Sequence, residues 1–245
     1  MKQIIVITDG NSNEGISPVT AAAEAYARGV VVNVIGVVDR ESAGMRGEKE
    51  IEAIAKAGGG IHRIVSPTKL AYTMQMMTRH TVVATIQQVV NEELRAIFKD
   101  ETASLESLPP AKRAEVVRSV DEWTETAPLR VALLIDASAS MKHKFDAVRE
   151  AAYDLMLSVQ ARTGKSELAV LHFPGNNSNA VETDVEWTSE LAKIEKILYK
   201  LNVKGTTPTG PAILGALSLF GGGLKPAPRL DADRAADSAW GDYVV

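Results

Sequence analysis

Oxygen-bearing side chains stand at alternate positions after an apolar segment near the middle of the chain. The segment covers residues 131–135, and the side chains belong to Asp136, Ser138 and Ser140, a D-x-S-x-S pattern. Carboxylate and hydroxyl oxygens are hard ligands of the kind that Mg²⁺ prefers. The pattern therefore indicates a divalent-cation site, although taken alone it also fits a helix cap formed by Asp136 or Ser138.

Another acidic residue follows an apolar segment at the beginning of the chain. Residues 4–7 lead into Thr8, Asp9 and Gly10. In a parallel sheet with helices on both faces, ligands collect at the carboxyl ends of the strands. If the two segments form neighbouring strands, Asp9 and the D-x-S-x-S side chains converge on one spot. Taken alone, the Asp-Gly pair is typical of an ordinary turn.

Apolar segments alternate with helical patterns in both halves of the chain. Residues 3–65 are predicted to form three buried strands, and residues 130–187 supply three more, of which the last lies at an antiparallel edge. This alternation favours an α/β fold with a parallel sheet. Neither half can bury both faces of its strands alone. We therefore predict one three-layer, doubly wound, mostly parallel six-stranded sheet of Rossmann-like type, built from both halves.

The stretch between the halves shows helical spacing of apolar residues and no strand pattern. We predict a first strand-bearing part in residues 1–77, a helical linker in 78–127, a second strand-bearing part in 128–220 with a helix over 189–201, and a Gly/Pro-rich, then acidic tail in 221–245.

Composition excludes several classes of protein. The chain has 245 residues, a formal net charge of −4 and no cysteine. It therefore lacks a basic footprint for nucleic acid, and it cannot form disulfides or thiolate metal sites. Its apolar segments are shorter than the ~20 residues that cross a membrane, and the first one is too short for a signal peptide. We expect a cytoplasmic protein that binds neither nucleic acid nor a membrane.

Three separated motifs resemble those of the von Willebrand factor A (VWA) family: D-x-S-x-S at 136–140, the Thr loop G-T-T-P-T-G at 205–210, and T-D-G at 8–10. In that family they form the metal-ion-dependent adhesion site (MIDAS), and T-D-G comes last. Here T-D-G comes first, so the chain resembles a circularly permuted VWA domain, with family strands 4–6 in residues 1–77 and strands 1–3 in residues 128–220. Over essentially its whole length it is similar to the YabS-type VWA proteins of spore-forming bacteria.

The resemblance implies the ligands of a metal ion. They are oxygen atoms of Asp136, Ser138, Ser140, Thr207 and Asp9. Thr207 matches the family's threonine better than Thr206 because the proline of the loop follows it directly. These residues would hold Mg²⁺, or Mn²⁺ in its place, and leave a position open for a carboxylate of a protein partner.

We accordingly expect a metal-dependent protein-interaction module and not an enzyme, and the YabS-type resemblance suggests a role in sporulation. A metal-assisted hydrolase is an alternative, but no motif places a general base beside the site. The motifs are also compatible with a scaffold that has an empty site and with a non-ATPase VWA subunit of an ATPase-coupled complex. In such a complex the ATPase is another chain, because Gly164-Lys165-Ser166 lacks the first glycine of a P-loop.

The permuted order leaves the oligomeric state open. The two halves can meet within one chain, which gives a monomer, or exchange between two chains, which gives a domain-swapped homodimer. Both arrangements place Asp9 beside Asp136.

Overall fold

The structure is a computed structural model of a single chain. It describes residues 1–10, 12–38, 45–176, 179–190, 192–194 and 205–221. Most of the helix predicted over 189–201, and all of the predicted tail except Gly221, lie outside the described residues.

Strands and helices alternate along the described parts of the chain. The strands are β1 (Lys2–Thr8), β2 (Val31–Val37), β3 (Gly59–Val65), β4 (Leu129–Asp136), β5 (Ser166–Phe173) and β6 (Glu182–Thr188). The α-helices are α1 (Pro18–Ala27), α2 (Met45–Ala57), α3 (Leu70–Phe98), α4 (Pro110–Thr126), α5 (Phe145–Gln160) and α6 (Thr209–Ser218). A 3-10 turn (Ala139–Lys144) leads from β4 towards α5.

The described strands form one sheet in the order β3-β2-β1-β4-β5-β6. All neighbours are parallel except β5 and β6, so the predicted antiparallel edge is confirmed. β1 and β4 pair at the centre, from Lys2 beside Arg130 to Ile7 beside Ile135. From this pair the chain proceeds outwards in opposite directions, which creates a topological switch point, the place where α/β sheets commonly bind ligands.

Alternate side chains of the central strands enter two separate apolar layers. Ile5 and Ile7 pack on the face covered by α3, α4 and α5, whereas Ile4 and Val6 pack on the face covered by α1, α2 and α6. All four side chains are fully buried. Strands that are buried on both faces are continuous apolar runs, which is why the sequence revealed them. The predicted three-layer, mostly parallel sheet is confirmed.

Helix α3 forms part of the core on one face of the sheet. Its buried side chains recur at helical spacing, with Met74, Met77, Val82 and Ile86 in the same apolar layer as Ile5. The boundary drawn between residues 77 and 78 therefore falls inside a continuous helix. The residues after it complete a layer of the domain as well as linking its two halves.

Candidate functional site

Asp136 is the last residue of the central strand β4, and its carboxylate is fully buried. The hydroxyl of Thr8, at the end of β1, donates a 2.7 Å hydrogen bond to Oδ2, and the backbone N–H of Ser138 donates a 2.8 Å bond to Oδ1. Burial raises the pKa of Asp136 to about 6, and the nearby charge of Asp9 adds to this, while hydrogen bonds from Ser138 and Thr8 oppose it. Both oxygen atoms are thus fixed by the adjoining strand and loop.

A cleft of about 400 Å³ opens above this carboxylate, at the carboxyl ends of β1 and β4. It is lined by four of the five predicted ligands, Asp9, Ser138, Ser140 and Thr207, together with Gly10, Asn13, Val38, Ala139, Lys144 and Gly205. Asp136, the fifth, lies beneath the cleft and contacts it through Ser138. Residues from the beginning, the middle and the end of the described chain therefore meet at one place.

The serines of D-x-S-x-S lie side by side at the start of the 3-10 turn. Their hydroxyl oxygens are 3.1 Å apart and share a hydrogen bond. The backbone bond from Ser138 to Asp136 bends the chain as it leaves β4, so that Ser138 is buried and Ser140 faces outwards. The 3-10 turn begins after Ser138 without a side-chain cap, so the helix cap that the pattern alone allowed does not form.

The Thr loop is attached to the loop that follows β1. The backbone N–H of Thr207 donates a 2.9 Å bond to Oδ1 of Asn13, and the backbone N–H of Asn13 donates a 3.2 Å bond to the carbonyl of Thr207. The Ser12 hydroxyl bonds the same carbonyl. Thr207 is buried in the cleft wall, whereas Thr206 is exposed and bonds Glu14. Between the two threonines, only Thr207 is placed to contribute to the cleft.

Lys144 brings a positive charge into the cleft. Its ammonium nitrogen lies 3.0 Å from Oδ2 of Asp9, and the two side chains are 5% and 13% exposed. Buried lysines are uncommon unless they are paired, so Asp9 is the counter-charge that allows Lys144 to lie here. The oxygen atoms of the cleft thus already attract a cation, which is supplied by the protein itself.

Two close backbone contacts bring the loops together. Gly10 has a positive φ of +86°, and a Cβ there would lie 2.8 Å from Cα of Gly47. A Cβ on Gly210 would lie 2.0 Å from the carbonyl oxygen of Ile16. Glycine is needed at both positions because the neighbouring backbone occupies the space of a side chain. Gly10, the glycine of T-D-G, therefore lets the loop after β1 approach α2 while Asp9 enters the cleft.

The chemistry of these groups suits a hard divalent cation. Among the described residues, no three His, Cys, Asp or Glu side chains gather into a metal site. The candidate set consists instead of two carboxylates and three hydroxyls, which are oxygen donors that Mg²⁺ and Mn²⁺ accept. The ion pair of Lys144 supports this fit, because it shows that Oδ2 of Asp9 faces a position that a cationic group occupies.

Sequence reasoning missed Asn13 and Lys144, and it missed the role of Thr8 although this residue stands in the T-D-G motif. For Thr8 and Asn13 the reason is the same. Both act through side-chain bonds to residues far away in the chain, which no local pattern reveals. For Lys144 a signal exists, because the spacing 141, 144, 145 places it on the same helical face as Met141 and Phe145, and all three are buried. A lysine on an apolar face next to a candidate anionic site is a reason to expect an ion pair.

None of the helices within the described ranges is long and apolar enough to cross a membrane.

No protein-family model matches the chain. The chain is similar to the uncharacterised protein YabS of Bacillus subtilis (strain 168), with 43% identity over 220 residues that cover 90% of this chain and 89% of YabS. It is also similar to the crystal structure of an uncharacterised protein from Alicyclobacillus acidocaldarius subsp. acidocaldarius DSM 446, with a TM-score of 0.82 and 44% identity over 90% of this chain and 93% of that one. The chain therefore belongs to the family of YabS.

Proposed function

We propose that this protein is a metal-dependent interaction module that resembles a circularly permuted VWA domain and binds an acidic group of a protein partner. The observation that carries the proposal is the convergence of Asp9, Ser138, Ser140 and Thr207 on one cleft above Asp136. These residues come from three separated segments, and each segment matches a MIDAS motif at a strand or loop end. A chance cap or turn at one motif would not bring the other two to the same place.

The division of roles follows from burial. Asp136 accepts hydrogen bonds at both oxygen atoms and orients the residues around it, so it would act on a metal ion chiefly through its charge or through water. Asp9 and the hydroxyls of Ser138, Ser140 and Thr207 would hold Mg²⁺ or Mn²⁺ from the cleft. The bound ion would offer an exchangeable coordination position to a carboxylate.

The cleft supports binding more than catalysis. Its lining among the described residues includes neither a histidine nor a glutamate, and the Asp9 carboxylate in it is paired with Lys144 and so is not poised as a general base. His172, on β5, is instead buried and paired with Asp184, with Nδ1 and Oδ2 2.7 Å apart. A metal-assisted hydrolase and a VWA subunit of an ATPase-coupled complex stay as alternatives. A cytoplasmic location and a link with sporulation also stay predictions.

A metal titration tests the proposal. We expect Mg²⁺ and Mn²⁺ to bind the wild-type chain saturably in calorimetry, and Asp9→Ala to abolish or greatly weaken this binding. Asp146→Ala is the matched control, because it removes the same charge from an exposed position on α5 that does not line the cleft. If both variants bind like the wild type, or if the wild type binds neither metal, the proposal is wrong.

The same variants test the oligomeric state. If the two halves of the sheet meet within one chain, the Thr8–Asp136 bond forms in cis. A mixture of Asp9→Ala and Asp136→Ala chains should then stay unable to bind metal, and sedimentation should show a monomer. Restored binding in the mixture would instead demonstrate a domain-swapped dimer.

A further inference from the structure

Lys144 is a charged group inside the cleft that the metal-binding motifs do not explain. It ends the 3-10 turn that begins just after Ser138, and its side chain is 5% exposed. Two residues before it on the same turn, Lys142 is exposed to solvent. A lysine that only stabilised the surface of this turn could take the orientation of Lys142. Lys144 instead lines the cleft and pairs with Asp9.

The ammonium group of Lys144 lies where it competes with a metal ion for Asp9. Oδ2 of Asp9, to which it bonds at 3.0 Å, belongs to one of the two carboxylates expected to attract the metal. An arriving cation must therefore share Asp9 with Lys144 or displace it. In either case Lys144 opposes binding of the metal, because two positive charges then lie close together in a partly buried place.

Lys144 opposes the metal, but it favours an anion that binds after the metal. The reason is the net charge of the metal-bound site, which we call the loaded site. With both carboxylates ionised, the paired lysine gives the empty site a formal charge of −1, which a bound dication changes to +1. One carboxylate from a partner makes the loaded site neutral. Without Lys144 the loaded site is neutral before the partner arrives, and the same carboxylate would leave it negative.

From this geometry we infer that Lys144 sets the balance between the two ligands of the site: it weakens the binding of the metal in the free protein and strengthens the capture of a carboxylate once the metal is bound. The inference rests on the proposed function and assigns to it a residue that determines specificity for anions. A protein of this kind holds its metal loosely until an acidic partner arrives. The two ligands then stabilise each other, as linked binding requires.

The test measures Mn²⁺ binding to the wild type, Lys144→Met and Lys142→Met, with and without acetate as the carboxylate probe. Methionine keeps the length of the side chain and removes the charge. We expect Lys144→Met to bind Mn²⁺ about tenfold or more tightly than the wild type, whereas Lys142→Met stays within about twofold because its charge is solvated. Acetate, compared with the same concentration of chloride, should raise the apparent Mn²⁺ affinity of the wild type and of Lys142→Met by a larger factor than that of Lys144→Met, because the lysine charge also attracts the acetate.

Thermal unfolding keeps the inference testable if Lys144→Met is destabilised. The metal-free variant leaves Asp9 without its counter-ion, so saturating Mn²⁺ should raise its Tm by more than it raises that of the wild type. Lys144→Arg, which keeps the charge, should bind Mn²⁺ like the wild type.

The outcomes separate the inference from the proposed function. If the wild type binds Mn²⁺ and Lys144→Met binds it no more tightly, the inference is overturned and the metal site stands. If Lys144→Met binds Mn²⁺ while the wild type does not, even with acetate, the lysine blocks the metal, and both the proposed function and the capture of a carboxylate are overturned. If neither chain binds, both ideas are overturned.

Discussion

Thr8 and Asp136 lie 128 residues apart in the chain, and the hydroxyl of Thr8 donates a buried 2.7 Å hydrogen bond to Oδ2 of Asp136. The bond joins the ends of the two central strands at the point where the halves of the sheet meet. The same hydroxyl accepts a bond from the backbone N–H of Gly10, which holds the loop that carries Asp9. One side chain thus connects the buried carboxylate to the mouth of the site.

Replacement of Thr8 by valine should destabilise the fold. The change keeps the shape of the side chain but leaves one oxygen of a buried carboxylate without its donor, which costs about 1–3 kcal/mol in the free energy of unfolding. Chemical denaturation of the metal-free protein measures this loss. Thr8→Ser, which retains the hydroxyl, should lose less.

Thr124→Val is the matched control for that experiment. Thr124 is also buried, but its hydroxyl donates to the carbonyl of Val120 within α4, a group that the helix itself can satisfy. We expect this variant to lose less stability than Thr8→Val. Equal stability of Thr8→Val and the wild type would show that the bond to Asp136 contributes nothing to the fold.

The buried carboxyl group of Asp136 makes stability depend on pH in an unusual direction. Its pKa is raised from 3.8 to about 6, so the folded protein binds this proton more tightly than the unfolded chain does. The resulting stabilisation is present below pH 3.8 and is lost as the pH rises through about 6. Most carboxylates that accept strong bonds contribute the opposite slope, which allows this one to be distinguished.

Asp136→Asn removes that titration with little change of shape. Measured in a chelator, the stability of the wild type should fall relative to this variant by about 2.4 kcal/mol between pH 4 and pH 7. Urea denaturation at several pH values measures the difference between the two proteins, so that contributions of other groups cancel. A difference that is constant with pH would contradict the raised pKa.

The apolar strands could be predicted from the sequence, and the contacts between loops could not. Residues such as Ile4 and Leu133 lie in continuous apolar runs. The local pattern of the sequence was therefore enough to predict the six strands and the three layers of the fold. The pairing of β1 with β4 came from the family resemblance, because nothing in either segment specifies its neighbour.

The candidate site shows the same division. Asp9, Ser138, Ser140 and Thr207 were recognised from their motifs, and the structure brings them to one cleft. Asn13 was missed because its partner is Thr207, 194 residues away, and the short polar loop around it has no periodicity. Side chains that position a site through such distant bonds leave no local pattern in a single sequence.

Gly10 should tolerate alanine poorly. At a φ of +86° any L residue is strained, and the new Cβ would also lie 2.8 Å from backbone of Gly47. Gly221 serves as the control for backbone strain alone, because its φ is +78° and a Cβ there would meet no atom of the described residues within 4 Å. Both alanine variants lose about 1 kcal/mol to backbone strain, and only Gly10→Ala should lose more, together with affinity for Mn²⁺. Equal losses of stability, measured by denaturation, would show that the loop after β1 moves away from α2 freely.

Asn13→Ala should weaken metal binding without changing any charge. Oδ1 of Asn13 accepts the N–H of Thr207 at 2.9 Å, so the variant removes one of the three bonds that join Thr207 to the loop after β1 and leaves the Thr207 hydroxyl less firmly held in the cleft. A ligand that must be ordered again when the metal arrives lowers the affinity, here by an expected factor of about 10. Asn91→Ala removes a bond of the same kind, from the N–H of Leu105 to Oδ1 at 2.9 Å, in a part of the chain that does not line the cleft. Both variants should lose about 1 kcal/mol of stability, but only Asn13→Ala should lose Mn²⁺ affinity in calorimetry. If the two variants bind Mn²⁺ equally well, Thr207 does not depend on Asn13 for its place in the site.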